Sequence, residues 1–422
     1  MREIHVRGEK PLYGSVHIHG AKNSVLPILA ATILHPGISV IENCPRLSDV
    51  ETATSILRYL GAEVCRTEDS LIVNAASLHV SEIPEQLMRE MRSSVIFLGA
   101  MLARFSVARL SYPGGCELGP RPIDLHLYAL TQLGASFDED SGTLHACAAK
   151  LRAAAIHLAT PSVGATENAM LAAVGAEGTT EIHNAAREPE IEDLQDFLRS
   201  LGVKVFGAGS STVTVEGTRK THDARYRIRS DRIVAASYLA AVVAAGGEAE
   251  LKDAEARRLY SVIASFREMG AEVRKTENGL FISRQEPLRS PRSVRTSPYP
   301  GFPTDAQAIL MAASLKARGT SVFVENIFEN RYRHVDELDR MGADIYTEGR
   351  VAIVRGVEAL KGASVRCTDL RGGAALVIAA LSAHGESRIS AIRHIERGYE
   401  DISRDLALLG ADIRTAEQSH DR

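Results

Sequence analysis

One thiol sits in a loop unlike the rest of the chain: Tyr112-Pro113-Gly114-Gly115-Cys116-Glu117-Leu118-Gly119-Pro120-Arg121-Pro122. Three prolines and three glycines in eleven residues exclude a helix or a central strand, because proline fixes φ and removes a donor while glycine weakens either element. Cys116 and Arg121 are thereby left on a loop, where functional groups concentrate. Two readings of the thiol stand level at this point: a reactive group activated by nearby cations, or a small buried hydrophobe.

A second set of chemistry-bearing residues stands at the starts of apolar, alanine-rich segments. They are Lys22-Asn23, Arg92-Ser93, Ser162-Val163-Gly164 running on to Glu167, Asp231-Arg232, Asp305, and Asp369 with Arg371. Helix N-termini present free N–H groups and a partial positive charge, so several of them aimed together favour an anionic ligand. Arginine adds a bidentate partner for phosphate or carboxylate. Asp231, Asp305, Asp369 and Ser162 are also ordinary N-cap residues. Lys22 and Arg371 are not, since a cation there opposes the helix dipole, and an anion beside each would resolve the conflict. Arg397, in His394-Ile395-Glu396-Arg397-Gly398-Tyr399, raises the same question against a plain solvated arginine. His126 reads as a structural residue on an amphipathic helix and Glu188 as a solvated carboxylate before one. No GxGxxG or Walker sequence follows a strand and no HExxH or acidic cluster has metal spacing, so neither cofactor nor metal is expected.

The elements that must position these residues recur six times. Leu60-Gly61-Ala62, Leu133-Gly134-Ala135, Leu201-Gly202-Val203, Met269-Gly270-Ala271, Met341-Gly342-Ala343 and Leu409-Gly410-Ala411 place glycines at intervals of 73, 68, 68, 72 and 68 residues. Each glycine follows an amphipathic stretch and is a C-cap signal. The third copy reads most clearly: a buried helix over 165–174, an alternating strand over 180–184, an acidic amphipathic helix over 190–201, then strands over 203–206 and 212–216. The alanine-rich helices carry small residues on several faces, as helices packed inside a domain do, so the sheets are expected outside. The sixth copy stops at Ile413-Arg414 without its last strand, and Ile4-His5-Val6-Arg7-Gly8 supplies it. Two α/β domains of three repeats each follow: residues 21–229, carrying the Cys116 loop, and a discontinuous domain of 1–20 with 230–422.

Composition sets further bounds. The 422 residues are 45% hydrophobic but only 5% aromatic, with no Trp, so the core is aliphatic. A net charge of −4 without basic runs argues against nucleic acid as a partner. The charged, alternating N-terminus is no signal peptide and no apolar run has the length of a membrane span, so a cytoplasmic protein without membrane contact is expected. Five cysteines, far apart and without a CxxC pair, make a zinc ribbon or a disulfide framework a poor reading.

Gly20-Ala21-Lys22-Asn23-Ser24-Val25-Leu26-Pro27, Gly114-Gly115-Cys116, Arg121-Pro122-Ile123-Asp124-Leu125-His126, Ser162-Val163-Gly164-Ala165-Thr166, Phe302-Pro303-Thr304-Asp305, Phe328-Glu329-Asn330-Arg331, Thr368-Asp369-Leu370-Arg371 and Arg397-Gly398-Tyr399-Glu400 together resemble the UDP-N-acetylglucosamine enolpyruvyl transferase family of the EPSP synthase superfamily. The match runs from the first strand to the last helix, and the fold it implies is a pair of inside-out α/β domains, each of three βαβαββ repeats with buried helices and outer sheets, in agreement with the repeat count. The resemblance implies transfer of the enolpyruvyl group of phosphoenolpyruvate to the 3-hydroxyl of UDP-N-acetylglucosamine with release of phosphate, the committed step of peptidoglycan synthesis in cell-wall biogenesis. It implies no cofactor, and the chain is expected to act as a monomer.

By the same resemblance Cys116 is the mobile-loop proton donor, able to add covalently to phosphoenolpyruvate, and Asp305 takes the sugar hydroxyl proton. Lys22, Arg121 and Arg397 surround phosphoenolpyruvate, with Asn23 at the same helix start. Arg92, Arg121, Pro122, Ile123, Asp124, Leu125, Ser162, Val163, Gly164, Asp305 and Ile327 match the nucleotide-sugar contacts, and Asp369 and Arg371 match the substrate site. Ser48 and Thr160 stand where some members carry Lys. A cysteine at 116 implies sensitivity to alkylation by the epoxide fosfomycin. The loop is then expected to close as a lid over an interdomain cleft.

Overall fold

The computed structural model describes residues 2–111, 123–285 and 287–417. Six four-stranded sheets recur along the chain. In the third repeat Thr179–His183 pairs antiparallel with Thr212–Glu216, which pairs antiparallel with Lys204–Phe206, and Ala155–His157 adds in parallel on the far side. Side chains alternate across a strand, so Val213 and Val215 are buried while Thr212, Thr214 and Glu216 are half exposed. One face of each sheet therefore covers the interior and the other meets water.

The interior is filled by helices. Ile233 to Ala244 of the helix Arg232–Ala245 are all buried, as are Arg371 to Ser382 of Leu370–Ser382 and Ala306 to Ser314 of Thr304–Ser314. These three pack on one another. A helix apolar on every side has to be enclosed, and alanine lets such helices approach closely. In the other half the helix Phe97–Phe105 packs on both Lys22–Ala31 and Val163–Val174. Its first turns differ from expectation: Arg92–Ile96 is a 3-10 segment and the α-helix starts only at Phe97.

The six repeat glycines all lie in the left-handed region, with φ of 104° at Gly61, 95° at Gly134, 90° at Gly202, 103° at Gly270, 88° at Gly342 and 89° at Gly410. This is the conformation a helix needs just past its end to turn into the next strand, and glycine adopts it without a Cβ penalty.

The described chain forms two compact units, residues 20–111 with 123–229, and residues 2–19 with 230–417. Within each, the strand that follows one repeat adds to the sheet of the next. In the first unit Glu82–Ile83 pairs with Val107–Ser111, Ala155–His157 with Thr179–His183, and Ala224–Arg227 returns to Ile38–Glu42. In the second, Ser293–Arg295 pairs with Thr320–Val324, Ser364–Arg366 with Glu386–Ser390, and Leu12–His17 with Gly247–Lys252. The sheets of each unit are thus laced in a closed ring. Arg2–Arg7 lies between Glu386–Ser390 and Asp412–Glu417, antiparallel to both. It completes the sixth repeat as expected, and Leu12–His17 adds to the sheet of the fourth.

A second recurrent contact ties strand to helix. The N–H groups of Glu9, Thr218 and Val357 donate to the carbonyls of Leu381, Val174 and Leu315 at 2.9, 2.8 and 2.8 Å. Carbonyls at the end of a buried helix have no intrahelical partner, and the segment just past the outgoing strand satisfies one of them in three repeats. Among the described residues no helix is long and apolar enough to cross a membrane.

Candidate functional site

In the unit of residues 20–229, Cys116, Arg121 and Pro122 lie outside the described residues. Lys22 opens the helix Lys22–Ala31 and is buried, its Nζ 2.7 Å from Oδ2 of the buried Asp49. Asp49 belongs to the first turn of Ser48–Leu60, where its charge is favoured by that helix's dipole. The anion that a cation at a helix start calls for is here an internal carboxylate. Asn23 follows, half buried. Arg92 heads the 3-10 segment.

Ser162 caps the helix Val163–Val174, its Oγ accepting from the Ala165 N–H at 3.3 Å. Val163 and Gly164 form the first turn, and a Cβ on Gly164 would lie 2.7 Å from the His126 ring. Ile123, Asp124 and Leu125 open the adjoining helix, with Ile123 buried, Leu125 half buried and Asp124 exposed. His126 belongs to that helix, and it is locked. Asn168 Oδ1 accepts from the Gly99 N–H at 2.7 Å, so its Nδ2 is the donor to the Val95 carbonyl at 3.0 Å and to His126 Nδ1 at 2.7 Å. His126 Nδ1 must then be the unprotonated acceptor. Burial pushes this ring down to about 4, with Asp124 opposing weakly.

A pH prediction arises here. The unfolded chain takes up the His126 proton near pH 6.5 and the folded one only near 4, so stability is lost as pH falls through that window. Between about pH 7 and about pH 5 the loss at this one group is about 2 kcal/mol. Urea unfolding of wild type and His126→Gln, which keeps an acceptor but cannot titrate, should show the variant losing less on acidification; equal losses would refute the assignment.

Glu188, expected to be a solvated carboxylate, is half buried beside a second acidic group. Glu167, buried on the helix Val163–Val174, is pushed well above the usual range by burial, then by Glu190 and Glu188.

In the unit of residues 2–19 and 230–417, three central helices begin with aspartates. Asp231 caps Arg232–Ala245, accepting from the N–H groups of Ile233 and Val234 at 2.7 and 3.1 Å. Asp369 caps Leu370–Ser382, accepting from those of Arg371 and Gly372 at 3.0 Å each. Burial pushes Asp369 up, but Arg331, the Gly372 N–H, His334 and the Arg371 N–H outweigh it and hold the carboxyl below the usual range.

Asp305, in the first turn of Thr304–Ser314, is not a cap. Its Oδ1 accepts from Arg331 Nη2 at 2.8 Å, and its Oδ2 from Arg371 Nη2 and Nε at 3.2 and 3.4 Å. Arg331 and Arg371 are only 3% and 2% exposed, so the carboxylate is gripped from both sides. A charged pair with good geometry keeps its direction in a low-dielectric setting, which fixes where the remaining lone pairs point. Arg371 also reaches the Tyr399 hydroxyl at 3.3 Å, and that hydroxyl contacts Ser237 Oγ at 2.6 Å. As at Lys22, the anion expected beside Arg371 is an internal carboxylate.

Ile327 is 38% exposed, held outward by a turn around the buried Glu325. Glu325 accepts from the N–H groups of Ile327 and Phe328 at 2.8 and 3.1 Å, and from the hydroxyls of Thr296 and Thr304 at 2.9 and 3.0 Å. Arg397 ends the 3-10 segment Ile392–Arg397 and is half buried, not fully solvated. Sequence reasoning gave no role to Asp49, Glu325, Arg331 or Tyr399; only Arg331 and Tyr399 stood in quoted motifs. Among the described residues no group of three or more His, Cys, Asp or Glu is placed to hold a metal ion.

Comparison with known proteins adds to this geometry. The family described as EPSP synthase (3-phosphoshikimate 1-carboxyvinyltransferase) matches residues 6–406. A UDP-N-acetylglucosamine 1-carboxyvinyltransferase 2 of Caldanaerobacter subterraneus is 48% identical over 413 residues, covering 98% of this chain and 99% of its own. A UDP-N-acetylglucosamine 1-carboxyvinyltransferase 1 of Symbiobacterium thermophilum is 47% identical over 415 residues, covering 97% and 94%. Among solved structures, the enolpyruvyl transferase NikO of Streptomyces tendae superposes with a TM-score of 0.88 at 25% identity, over 98% of both chains. An EPSP synthase of Acinetobacter baumannii gives 0.76 at 17% identity over 99% and 100%, a likeness of fold.

Proposed function

The chain belongs to the EPSP synthase family, and from that premise we propose that it transfers the enolpyruvyl group of phosphoenolpyruvate to the 3-hydroxyl of UDP-N-acetylglucosamine, releasing phosphate. The observation that carries the choice of acceptor is the run of relatives of that name, 43 to 48% identical over nearly the full chain.

The chemistry joins an alcohol to the carbon bearing the phosphate, through a tetrahedral intermediate, and then eliminates phosphate. It needs a base at the hydroxyl, an acid at the methylene carbon, and cations on phosphate and carboxylate. In this reading Asp305, oriented by Arg331 and Arg371, takes the hydroxyl proton. Cys116 delivers a proton to the methylene carbon and must do so as the thiol. Lys22, Arg121 and Arg397 offset the charge of phosphoenolpyruvate, with Asn23 beside them. Arg92, residues 121 to 125, Ser162 to Gly164 and Ile327 hold the nucleotide sugar, and Asp369 and Arg371 complete the floor around Asp305. Residues 21–229 act as one domain and 1–20 with 230–422 as the other, and the chain works as a monomer in the cytoplasm.

Purified protein with phosphoenolpyruvate and UDP-N-acetylglucosamine should release inorganic phosphate continuously, and with shikimate 3-phosphate in place of the nucleotide sugar it should not. Release only with shikimate 3-phosphate would transfer the protein to the sister reaction. Binding of the nucleotide sugar without any release would leave a non-catalytic binder.

A further inference from the structure

Glu325 joins two parts of the site around Asp305 that the chain places apart. It is 1% exposed and lies just past the strand Thr320–Val324. A buried carboxylate is costly unless its lone pairs are filled, and here both oxygens are served. Oε1 accepts from the Ile327 and Phe328 N–H groups at 2.8 and 3.1 Å and from the Thr296 hydroxyl at 2.9 Å, while Oε2 accepts from the Thr304 hydroxyl at 3.0 Å.

The two oxygens serve different elements. Oε1 shapes the turn that carries Ile327. Thr296 braces the same turn, its Oγ1 accepting from the Asn326 N–H at 2.8 Å and its carbonyl from Asn326 Nδ2 at 3.0 Å. Oε2 reaches Thr304, the first residue of the helix Thr304–Ser314 and the neighbour of Asp305. The Thr304 carbonyl in turn accepts from Arg331 Nη2 at 3.3 Å, the nitrogen that also bonds Asp305 Oδ1 at 2.8 Å. One carboxylate therefore spans from the segment at 327 to the segment at 305, with a stiff group at each end: backbone on one side, a β-branched hydroxyl on the other. All four donors are neutral, so what this place draws from Glu325 is two acceptors at a fixed spacing.

We infer that Glu325 is a positioning residue for the acceptor substrate: it fixes the Ile327 turn against the start of the helix that carries Asp305. This rests on the functional reading above, in which Ile327 holds the nucleotide sugar and Asp305 is the base.

Glu325→Leu removes both acceptors. Glu325→Gln keeps Oε1 and turns an amide N–H towards Thr304, whose hydroxyl can accept it. In steady-state phosphate release Glu325→Leu should lose roughly 10- to 100-fold in kcat/KM for the nucleotide sugar, with KM for that substrate raised and KM for phosphoenolpyruvate nearly unmoved. Glu325→Gln should recover most of the loss. Partial unfolding alone lowers kcat without moving either KM, so an unmoved KM for the nucleotide sugar overturns the inference, as does a Gln variant as impaired as Leu at equal stability. Thr304→Val breaks the link from its other end, should show the same KM pattern, and stands in should Glu325→Leu not fold. The double variant should be no worse than Glu325→Leu alone; additive losses overturn the inference, because the two groups would then act independently. Hydrogen exchange reads the link without turnover: the Ile327 and Phe328 amides should exchange faster in Thr304→Val, and unchanged exchange there also overturns it. Absence of phosphate release from wild type counts against the reaction alone.

Discussion

Asp305→Asn should lower kcat for phosphate release by roughly 10²- to 10⁴-fold, the range over which a positioned general base contributes. The amide keeps the shape of the carboxylate but cannot take a proton. It also cannot balance Arg331 and Arg371, which lie 2.8 and 3.2 Å from the two carboxylate oxygens. Removing one partner of a buried ionic cluster strands the others, so the variant should also lose stability, about 2 kcal/mol once the 29% exposure of the Asp305 side chain is allowed for. The two effects separate by experiment: kcat is measured well below the melting transition and stability by urea unfolding. A variant that retains more than a tenth of wild-type kcat removes Asp305 from the role of base. Arg331→Met, leaving Arg371 in place, should be milder in both respects.

The largest stability effect expected from adding a single methyl group is at Gly217. A Cβ there would sit 1.6 Å from the Ala176 carbonyl oxygen, and at Gly356, the matching position two repeats later, 1.7 Å from that of Ala317. Neither obstacle is a movable side chain. Both carbonyls lie just past the ends of buried helices, beside the carbonyls of Val174 and Leu315 that the N–H groups of Thr218 and Val357 satisfy. The strand would have to lift, losing that hydrogen bond as well as the packing, so Gly217→Ala and Gly356→Ala should each cost about 3 kcal/mol. The two glycines belong to different units, so the double variant should show additive losses. Urea midpoints unchanged within error for either single variant would contradict the close approach.

Much of this architecture is legible in residue order, and the reason is physical. A left-handed residue after a helix strongly favours glycine, so Gly61, Gly134, Gly202, Gly270, Gly342 and Gly410 mark six helix ends in the text of the chain. Alternation marks the strands, and the missing last strand of the sixth repeat marks the role of Arg2–Arg7. What is not legible is contact across repeats. Lys22 and Arg371 are correctly singled out as cations at the wrong end of a helix, but their partners, Asp49 and Asp305, lie on other elements, and Asp305 is 66 residues away from Arg371. Reading each helix alone leaves the charge unanswered and invites a ligand as the answer. Glu188 is a further case: local polarity reads as exposure, but the folded chain half buries it.

The placement of Arg2–Arg7 has a consequence for how the protein is made. Its neighbours in the sheet are Glu386–Ser390 and Asp412–Glu417, so a strand translated early pairs with two translated much later. At ordinary translation speeds the nascent segment waits on the order of tens of seconds, with Ile4 and Val6 uncovered and both edges open to foreign strands. The residue 20–229 unit, continuous in the chain, can close meanwhile. A circular permutant opening at residue 230, with the old termini joined by a linker, would shorten that wait and should depend less on chaperones for its yield.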